Sequence, residues 1–174
     1  MKTLEAQLSN YAAYHRDSRN IATHFVGIPL IVVAVATLLS RPAVELAGVT
    51  ASPALVVAAL TALYYLRLDL RLGLLMTALL AGAVAFGAWA AAQATGLWLA
   101  LGVGGFVVGW VFQFVGHFWE GRKPAFVDDL MGLIIGPLFV TVELLFMVGL
   151  CAGLQQAIEA RVGPVRRGGA TAQA

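Results

Sequence analysis

The sequence predicts an all-α integral membrane protein, a helical bundle with five transmembrane helices. Of its 174 residues, 60% are hydrophobic and 11% are charged, whereas ordinary soluble domains carry about 25% charged residues. Long uncharged runs alternate with short polar connections, and a membrane-spanning helix needs about 20 mainly apolar residues. These observations predict spans at residues 21–39, 49–66, 72–92, 97–118 and 130–154.

The two ends of the chain differ from this apolar body. Residues 1–160 are expected to form one transmembrane domain that begins with a short interfacial helix, and residues 161–174 to form a flexible tail rich in Gly, Ala and Arg. Arginines in that tail favour an alternative of four spans with a re-entrant last segment bent at Gly136 and Pro137. Cys151 is the single cysteine, and we expect a small buried residue there rather than a disulfide.

Basic residues predict the orientation of the chain. They cluster before the first span, between spans two and three, and between spans four and five, and the positive-inside rule places these segments on the cytoplasmic face of the membrane. The same face then receives His15, His24, Asp69, His117, Glu120 and Asp128. Asp69 has the alternative of pairing with a neighbouring arginine. A formal net charge of +2 is too small to indicate nucleic acid as a partner.

The first of two polar islands carries two of the three histidines. Tyr11 and His15 are four residues apart, as are Asn20 and His24, so within a helix each pair shares a face. His15 and His24 would lie about 180° and about 13.5 Å apart on one continuous helix. They can share an ion only if the helix breaks between them, and Asp17 is a suitable cap for a new helix start.

The second polar island lies at the end of the fourth predicted span. Gln113, His117 and Glu120 are spaced by four and three residues, which makes one polar stripe before Gly121 and Pro124 turn the chain. A histidine and a carboxylate three residues apart can reach one metal ion from one helix. The expected metal ligands are therefore His15, His24, His117 and Glu120.

Glu143 lies inside the last apolar segment. An ionised acid at such a place costs at least about 2.5 kcal/mol unless it is paired. One possibility is a protonated side chain bonded to a backbone carbonyl. The other is a metal ligand or a base that faces the same cavity as the histidines.

Three histidines with nearby carboxylates at one membrane face predict a transition-metal site. Imidazole and carboxylate suit iron or zinc equally, and such a set with open positions is typical of non-haem iron that activates oxygen. Three other functions stay open from these residues: a haem protein with two axial histidines, a proton-coupled transporter and a zinc-dependent lipid hydrolase.

Two separated motifs carry a family resemblance, one from Tyr11 to Pro29 and one from Gln113 to Ala125, followed by Pro137, Phe139 and Glu143. With them the chain resembles the membrane family of the fungal 2-hydroxy fatty acid dioxygenase. The resemblance implies iron(II), Fe(2+), as the cofactor, and a 2-hydroxy fatty acid and O2 as substrates, with loss of one carbon. It also matches the three histidines and Glu120 to the motif residues of the family.

A fatty acid that enters from the bilayer would keep its tail among the helices and its carboxylate at the cytoplasmic edge. The residues expected to bind it are Asn20, Gln113, Arg122 and Lys123, although the two basic residues have an alternative role as interfacial anchors. Tyr11, or alternatively Tyr14, is expected to donate a proton or a hydrogen bond to oxygen, and Glu143 to act as a base.

Overall fold

The computed structural model describes residues 2–46 and 49–167, and these are mainly helical. In chain order the helices are α1 (Leu4–Ala12), α2 (Ser18–Ser40), α3 (Pro53–Leu68), α4 (Leu70–Ala91), α5 (Thr95–Leu99), α6 (Gly105–Glu120), α7 (Met131–Met147) and α8 (Ala152–Val162). A π-helical turn at Ala100–Gly104 joins α5 to α6, and a 3-10 turn occupies Ala125–Val127. Two short strands, β1 (Val44–Leu46) and β2 (Val49–Ala51), pair antiparallel with Glu45 opposite Thr50.

Among the described residues, three helices are long and apolar enough to cross a membrane, namely α2, α4 and the continuous helix Thr95–Glu120. Helices α7 and α8 pass the same test together but are bent by 114° at a break, so there are at most four such spans. The five predicted spans are not confirmed. One reason is that α3 has 16 residues, a rise of about 24 Å, against a hydrocarbon core of about 30 Å.

The second apolar segment begins its helix later than predicted. Residues 49–51 belong to β2 rather than to a helix, and α3 starts only at Pro53. Ser52 is its N-cap, with the side-chain oxygen accepting a hydrogen bond from the N–H of Leu55 at 3.3 Å. Proline at the first helical position fits this start, because it has no N–H to leave unpaired.

The last apolar segment bends at a different place from the predicted one. Helix α7 runs through Gly136 and Pro137, so the prediction of a bend there was wrong. The break lies between Met147 and Ala152, where Gly149 has φ of 78° and Cys151 has φ of 58°. Left-handed residues end a helix. Cys151 is also exposed, which corrects the expectation that it is buried.

The helices divide into two units, and the first consists of Met1–Ile28 with Val111–Ala174. In it α1 packs against α7 and α8, and Arg161 Nη2 lies 2.6 Å from Glu5 Oε1. Its buried apolar residues include Leu8, Ala12, Ile135, Leu138 and Ile158. Part of the predicted flexible tail belongs to this unit, because α8 extends to Val162. Residues 168–174 of that prediction lie outside the described residues.

The second unit, Pro29–Trp110, contains the helical hairpin of α3 and α4. Asp69 stands between the two helices and caps α4, because its Oδ1 accepts the N–H of Leu72 at 2.8 Å. Gly73 allows the hairpin to close, since a Cβ there would lie 2.6 Å from Leu66 Cα. Large apolar side chains on this hairpin are exposed, for example Leu60 at 64% and Leu74 at 57%, which fits contact with lipid.

Candidate metal centre

A turn between two helices brings the first two histidines together. Helix α1 ends at Ala12, a turn follows, and α2 begins at Ser18, so the predicted break between His15 and His24 is confirmed. Asp17 marks the new start, because its Oδ1 accepts the N–H of Arg19 at 2.9 Å. His15 therefore lies in the turn, and His24 lies on the second helix.

The structure places the three histidines in one cluster. A ring nitrogen of each of His15, His24 and His117 lies within 4.8 Å of the others, and within the described part of the chain this group contains no carboxylate. The side chains are shielded from water, with relative exposures of 0%, 0% and 7%. This is the convergence on one site that the sequence predicted.

Backbone carbonyls set the orientation of two of the rings. Nδ1 of His15 lies 2.7 Å from the carbonyl oxygen of Tyr11, and Nδ1 of His24 lies 2.9 Å from that of Asn20. A carbonyl can only accept a hydrogen bond, so both Nδ1 atoms carry the proton and both Nε2 atoms carry a lone pair. These two Nε2 atoms lie 3.1 Å apart. Two Nε2 atoms that both carry lone pairs cannot form a hydrogen bond with each other, because neither has a proton to donate. Both can bind the same cation.

The geometry and the donor atoms fit a transition-metal ion. Imidazole nitrogens lie about 2.0–2.1 Å from a bound zinc ion, so two ligands on one such ion are separated by roughly 2.9–3.4 Å. The measured 3.1 Å falls in this range. Nδ1 of His117 is buried and has no hydrogen-bond partner within the described residues, and an ion would satisfy such an atom. A haem would need its macrocycle between two axial rings, and these rings contact each other directly.

The environment keeps His15 in the form that binds metals. Burial lowers the pKa of His15 well below its ordinary value, and the neighbouring His24 lowers it further. His15 is therefore neutral at physiological pH, with its lone pair available to an ion.

Aromatic side chains cover one side of the cluster. The Tyr11 ring stacks on His15, with centroids 4.1 Å apart and planes inclined by 6°. Phe139 packs against both rings, at 5.0 Å from Tyr11 and 5.6 Å from His15. Gly136 leaves room for this arrangement, because a Cβ there would lie 2.9 Å from Tyr11 Oη. The wall limits the access of water to the histidines.

The comparisons with known proteins identify the family. A family model described as 2-hydroxy-palmitic acid dioxygenase Mpo1-like matches residues 1–148. The chain belongs to this family. It is 31% identical over 159 residues to 2-hydroxy-palmitic acid dioxygenase MPO1 of Saccharomyces cerevisiae. The matched region covers 90% of this chain and 87% of the relative. No solved structure matches the chain significantly.

Within this member of the Mpo1-like family, the predicted ligand Glu120 lies outside the group of ring nitrogens. It is buried, and its carboxylate accepts hydrogen bonds from the start of α2, from Asn20 Nδ2 at 3.0 Å and from Arg166 Nη2 at 2.7 Å. Asn20, predicted to bind substrate, is thus held by Glu120. Its Oδ1 is buried without a partner among the described residues.

The other predicted substrate-binding residues have different surroundings. Gln113 is buried one helical turn before His117, and its Nε2 has no hydrogen-bond partner among the described residues. Arg122 and Lys123 lie in the exposed loop after α6. Arg122 Nη1 donates to the carbonyl of Ala13 at 2.8 Å, and Lys123 Nζ lies 2.5 Å from Asp128 Oδ1.

Glu143 has a charged partner that the sequence reasoning missed. Its Oε1 accepts a hydrogen bond from Arg16 Nη2 at 3.3 Å, and the two side chains are only 7% and 11% exposed. Arg16 also donates to the carbonyls of Ala12 and His15 through Nε, at 2.9 and 3.0 Å. In the sequence, Arg16 is one of the basic residues before the first span that the positive-inside rule counts. The need of Glu143 for a partner could have pointed to it, because Arg16 directly follows a candidate ligand.

Proposed function

We propose that this protein is an iron(II)-dependent dioxygenase that acts on 2-hydroxy fatty acids at the membrane and shortens them by one carbon. One structural observation carries the metal part of the proposal: the Nε2 atoms of His15 and His24 face each other at 3.1 Å. The relative named 2-hydroxy-palmitic acid dioxygenase supports the reaction and the class of substrate.

Iron(II) would be held by His15, His24 and His117. Three neutral imidazoles suit several transition metals, and membership in a dioxygenase family favours iron among them. When bound, iron(II) supplies the activation of oxygen, a chemistry that protein side chains lack. The protein itself orients the rings, excludes water with Tyr11 and Phe139, and keeps His15 neutral.

The proposed reaction balances without a further reductant. One 2-hydroxy acid and one O2 give one acid shorter by one carbon, one carbon dioxide and one water. The bond between C1 and C2 breaks, C2 is oxidised from an alcohol to a carboxylic acid, and O2 is the electron acceptor. Oxygen and substrate are therefore the only reactants that we expect to be required.

The polar head of the substrate needs hydrogen-bond partners near the histidines. Gln113 is the best placed of the predicted residues, because its Nε2 is buried and has no partner among the described residues. Asn20 Oδ1 is likewise buried and has no hydrogen-bond partner among the described residues. Arg122 and Lys123 are proposed to attract the substrate carboxylate at the cytoplasmic edge of the membrane. Tyr11 and Glu143 stay candidates for proton transfer, with Glu143 acting through its pair with Arg16.

We further propose a topology of four crossings with a re-entrant last segment and the site at the cytoplasmic face of a bacterial inner membrane, because Gly163 and Arg166 are hydrogen-bonded to the turn between α1 and α2. The distribution of basic residues supports it. Labelling of single cysteines at Lys2 and Thr95, in a Cys151→Ser background, tests it in sealed cells and in opened ones. Lys2→Cys should react with an impermeant thiol reagent only after opening, and Thr95→Cys in both conditions. The reverse pattern would refute the orientation.

Conversion of 2-hydroxypalmitate to pentadecanoate tests the proposed reaction. Protein purified without a histidine tag and reconstituted with iron(II) should release pentadecanoate in the presence of O2 alone. His24→Ala should abolish this conversion. Tyr11→Phe should keep the iron and lower kcat by about 100-fold or more if its hydroxyl takes part in proton transfer.

Two matched samples control the assay. Palmitate, which lacks the 2-hydroxyl group, should not be consumed, and Glu45→Ala should leave turnover unchanged because Glu45 is exposed and lies in the other unit. Iron-loaded wild-type protein that leaves 2-hydroxypalmitate intact would refute the substrate and leave the metal site standing.

A further inference from the structure

The carboxylate of Glu120 is surrounded by four hydrogen-bond donors. Its Oε2 accepts the backbone N–H groups of Arg16 at 3.0 Å and Asp17 at 2.8 Å, together with Asn20 Nδ2 at 3.0 Å. Its Oε1 accepts Arg166 Nη2 at 2.7 Å, and the side chain is 1% exposed. A carboxylate has about four acceptor positions. Its hydrogen-bonding capacity is therefore largely occupied without any ion.

The two backbone donors lie in the connection between α1 and α2. Arg16 and Asp17 directly follow His15 and precede α2, so they form the turn that separates His15 from His24. N–H groups at a helix start lack partners within the helix, and a carboxylate there satisfies them and interacts favourably with the helix dipole. Glu120 thereby fixes the direction in which α2 leaves the turn.

The same carboxylate belongs to the helix that carries the third histidine. Glu120 follows His117 by three residues at the end of α6. Gly121, with φ of 68°, ends that helix directly afterwards. One side chain thus joins the segment of His15 and His24 to the segment of His117.

The C-terminal segment is hydrogen-bonded to the same turn between α1 and α2. The N–H of Arg166 donates to the carbonyl of Arg16 at 2.7 Å, and the N–H of Ser18 donates to the carbonyl of Arg166 at 3.0 Å. Arg16 Nη1 also donates to the carbonyl of Gly163 at 3.1 Å. Residues 163–166, which we name the C-terminal strap, are therefore bonded to both sides of the turn.

We infer that Glu120 is a positioning residue, which sets the geometry of the three histidines from outside the metal, and that the C-terminal strap holds Glu120 in place through Arg166. This inference rests on the proposed metal site. It assigns to Glu120 a role other than the ligand role that the spacing from His117 predicted. It also gives a function to a part of the chain expected to be a flexible tail.

Metal titration of the full-length protein tests the inference. Glu120→Ala should weaken the binding of iron(II) and of cobalt(II) by about 10-fold to 100-fold, as is usual when a group that orients the ligands is lost. Glu120→Gln should recover much of the affinity, because its carbonyl oxygen still accepts backbone N–H groups. Arg166→Ala should weaken binding in the same direction, and Glu45→Ala should leave it unchanged.

Spectroscopy separates positioning from ligation. At saturating cobalt(II), the absorption bands of Glu120→Gln should match those of the wild type if Glu120 lies outside the ligand set. Altered bands, or loss of an oxygen ligand in X-ray absorption, would overturn the inference. So would unchanged affinity in Glu120→Ala, Glu120→Gln and Arg166→Ala together.

Amide hydrogen exchange keeps the inference testable if the proposed function fails. In metal-free protein, the amides of Arg16 and Asp17 should exchange faster in Glu120→Ala, which removes their acceptor, than in the wild type. Wild-type protein that binds no metal but shows this difference would refute the proposed function alone. Equal exchange in the two proteins would refute the role of Glu120 in holding the turn.

Discussion

At the scale of single residues, the site depends on which nitrogen of each imidazole carries a proton. Tyr11 and Asn20 each stand four residues before a histidine, and their carbonyls accept that histidine's Nδ1–H. The spacing predicted only a shared helical face. It could not predict the ring orientation, because this depends on the turn at residues 13–17 that reverses the chain between the two pairs.

Gly116 allows α6 to approach α2 closely. A Cβ at this position would overlap Thr23 Oγ1 and Asn20 Oδ1 and would lie 3.2 Å from His24 Nδ1. We expect Gly116→Ala to destabilise the protein by about 1–3 kcal/mol and to lower its metal content. Thermal unfolding and metal analysis of the purified variant measure the two effects.

Gly82→Ala is the matched control for this substitution. A Cβ at Gly82 meets nothing within 4 Å, so its unfolding temperature and metal content should stay close to those of the wild type. Equal behaviour of the two variants would show that close approach at Gly116 is unimportant.

At the scale of elements, the sequence predicts the positions of the long apolar helices well and the ends of the elements less well. Helices α2 and α4 lie close to their predicted ranges, because a long uncharged run decides them. Strands β1 and β2 and the break after α7 depend on turn conformations at few residues. For the site, the largest difference between prediction and structure lies in the C-terminal tail. Arg166 is held by backbone hydrogen bonds to Arg16 and Ser18, and the amino-acid composition of the tail does not reveal such contacts.

The ion pair of Arg16 with Glu143 joins the turn after α1 to α7. Both side chains are buried, and loss of one partner from a buried pair costs about 3–5 kcal/mol because it leaves an uncompensated charge. We expect Glu143→Leu to lower the unfolding temperature strongly. The double variant Arg16→Met with Glu143→Leu should be less destabilised than the sum of the single variants.

An exposed ion pair provides the comparison. Lys2 and Asp129 are 54% and 55% exposed and lie 3.9 Å apart, and their removal should change stability by about 1 kcal/mol or less. Additive effects of Arg16→Met and Glu143→Leu would contradict a coupled buried pair.

At the scale of the whole molecule, composition alone placed the chain in a membrane, and spacing alone singled out the histidines. The convergence of distant residues followed from the topology. The roles of Glu120 and Glu143 did not, because each is decided by a partner far away in sequence, Arg166 and Arg16. Both carboxylates form hydrogen bonds with Arg16, the residue that directly follows His15.

The metal content of protein purified without a histidine tag and reconstituted with iron(II) tests the central claim most directly. We predict about one iron ion per chain in the wild type and in Glu45→Ala, and a strong loss in each of His15→Ala, His24→Ala and His117→Ala. Equal iron in the wild type and the three histidine variants, or none in the wild type, would contradict a shared site.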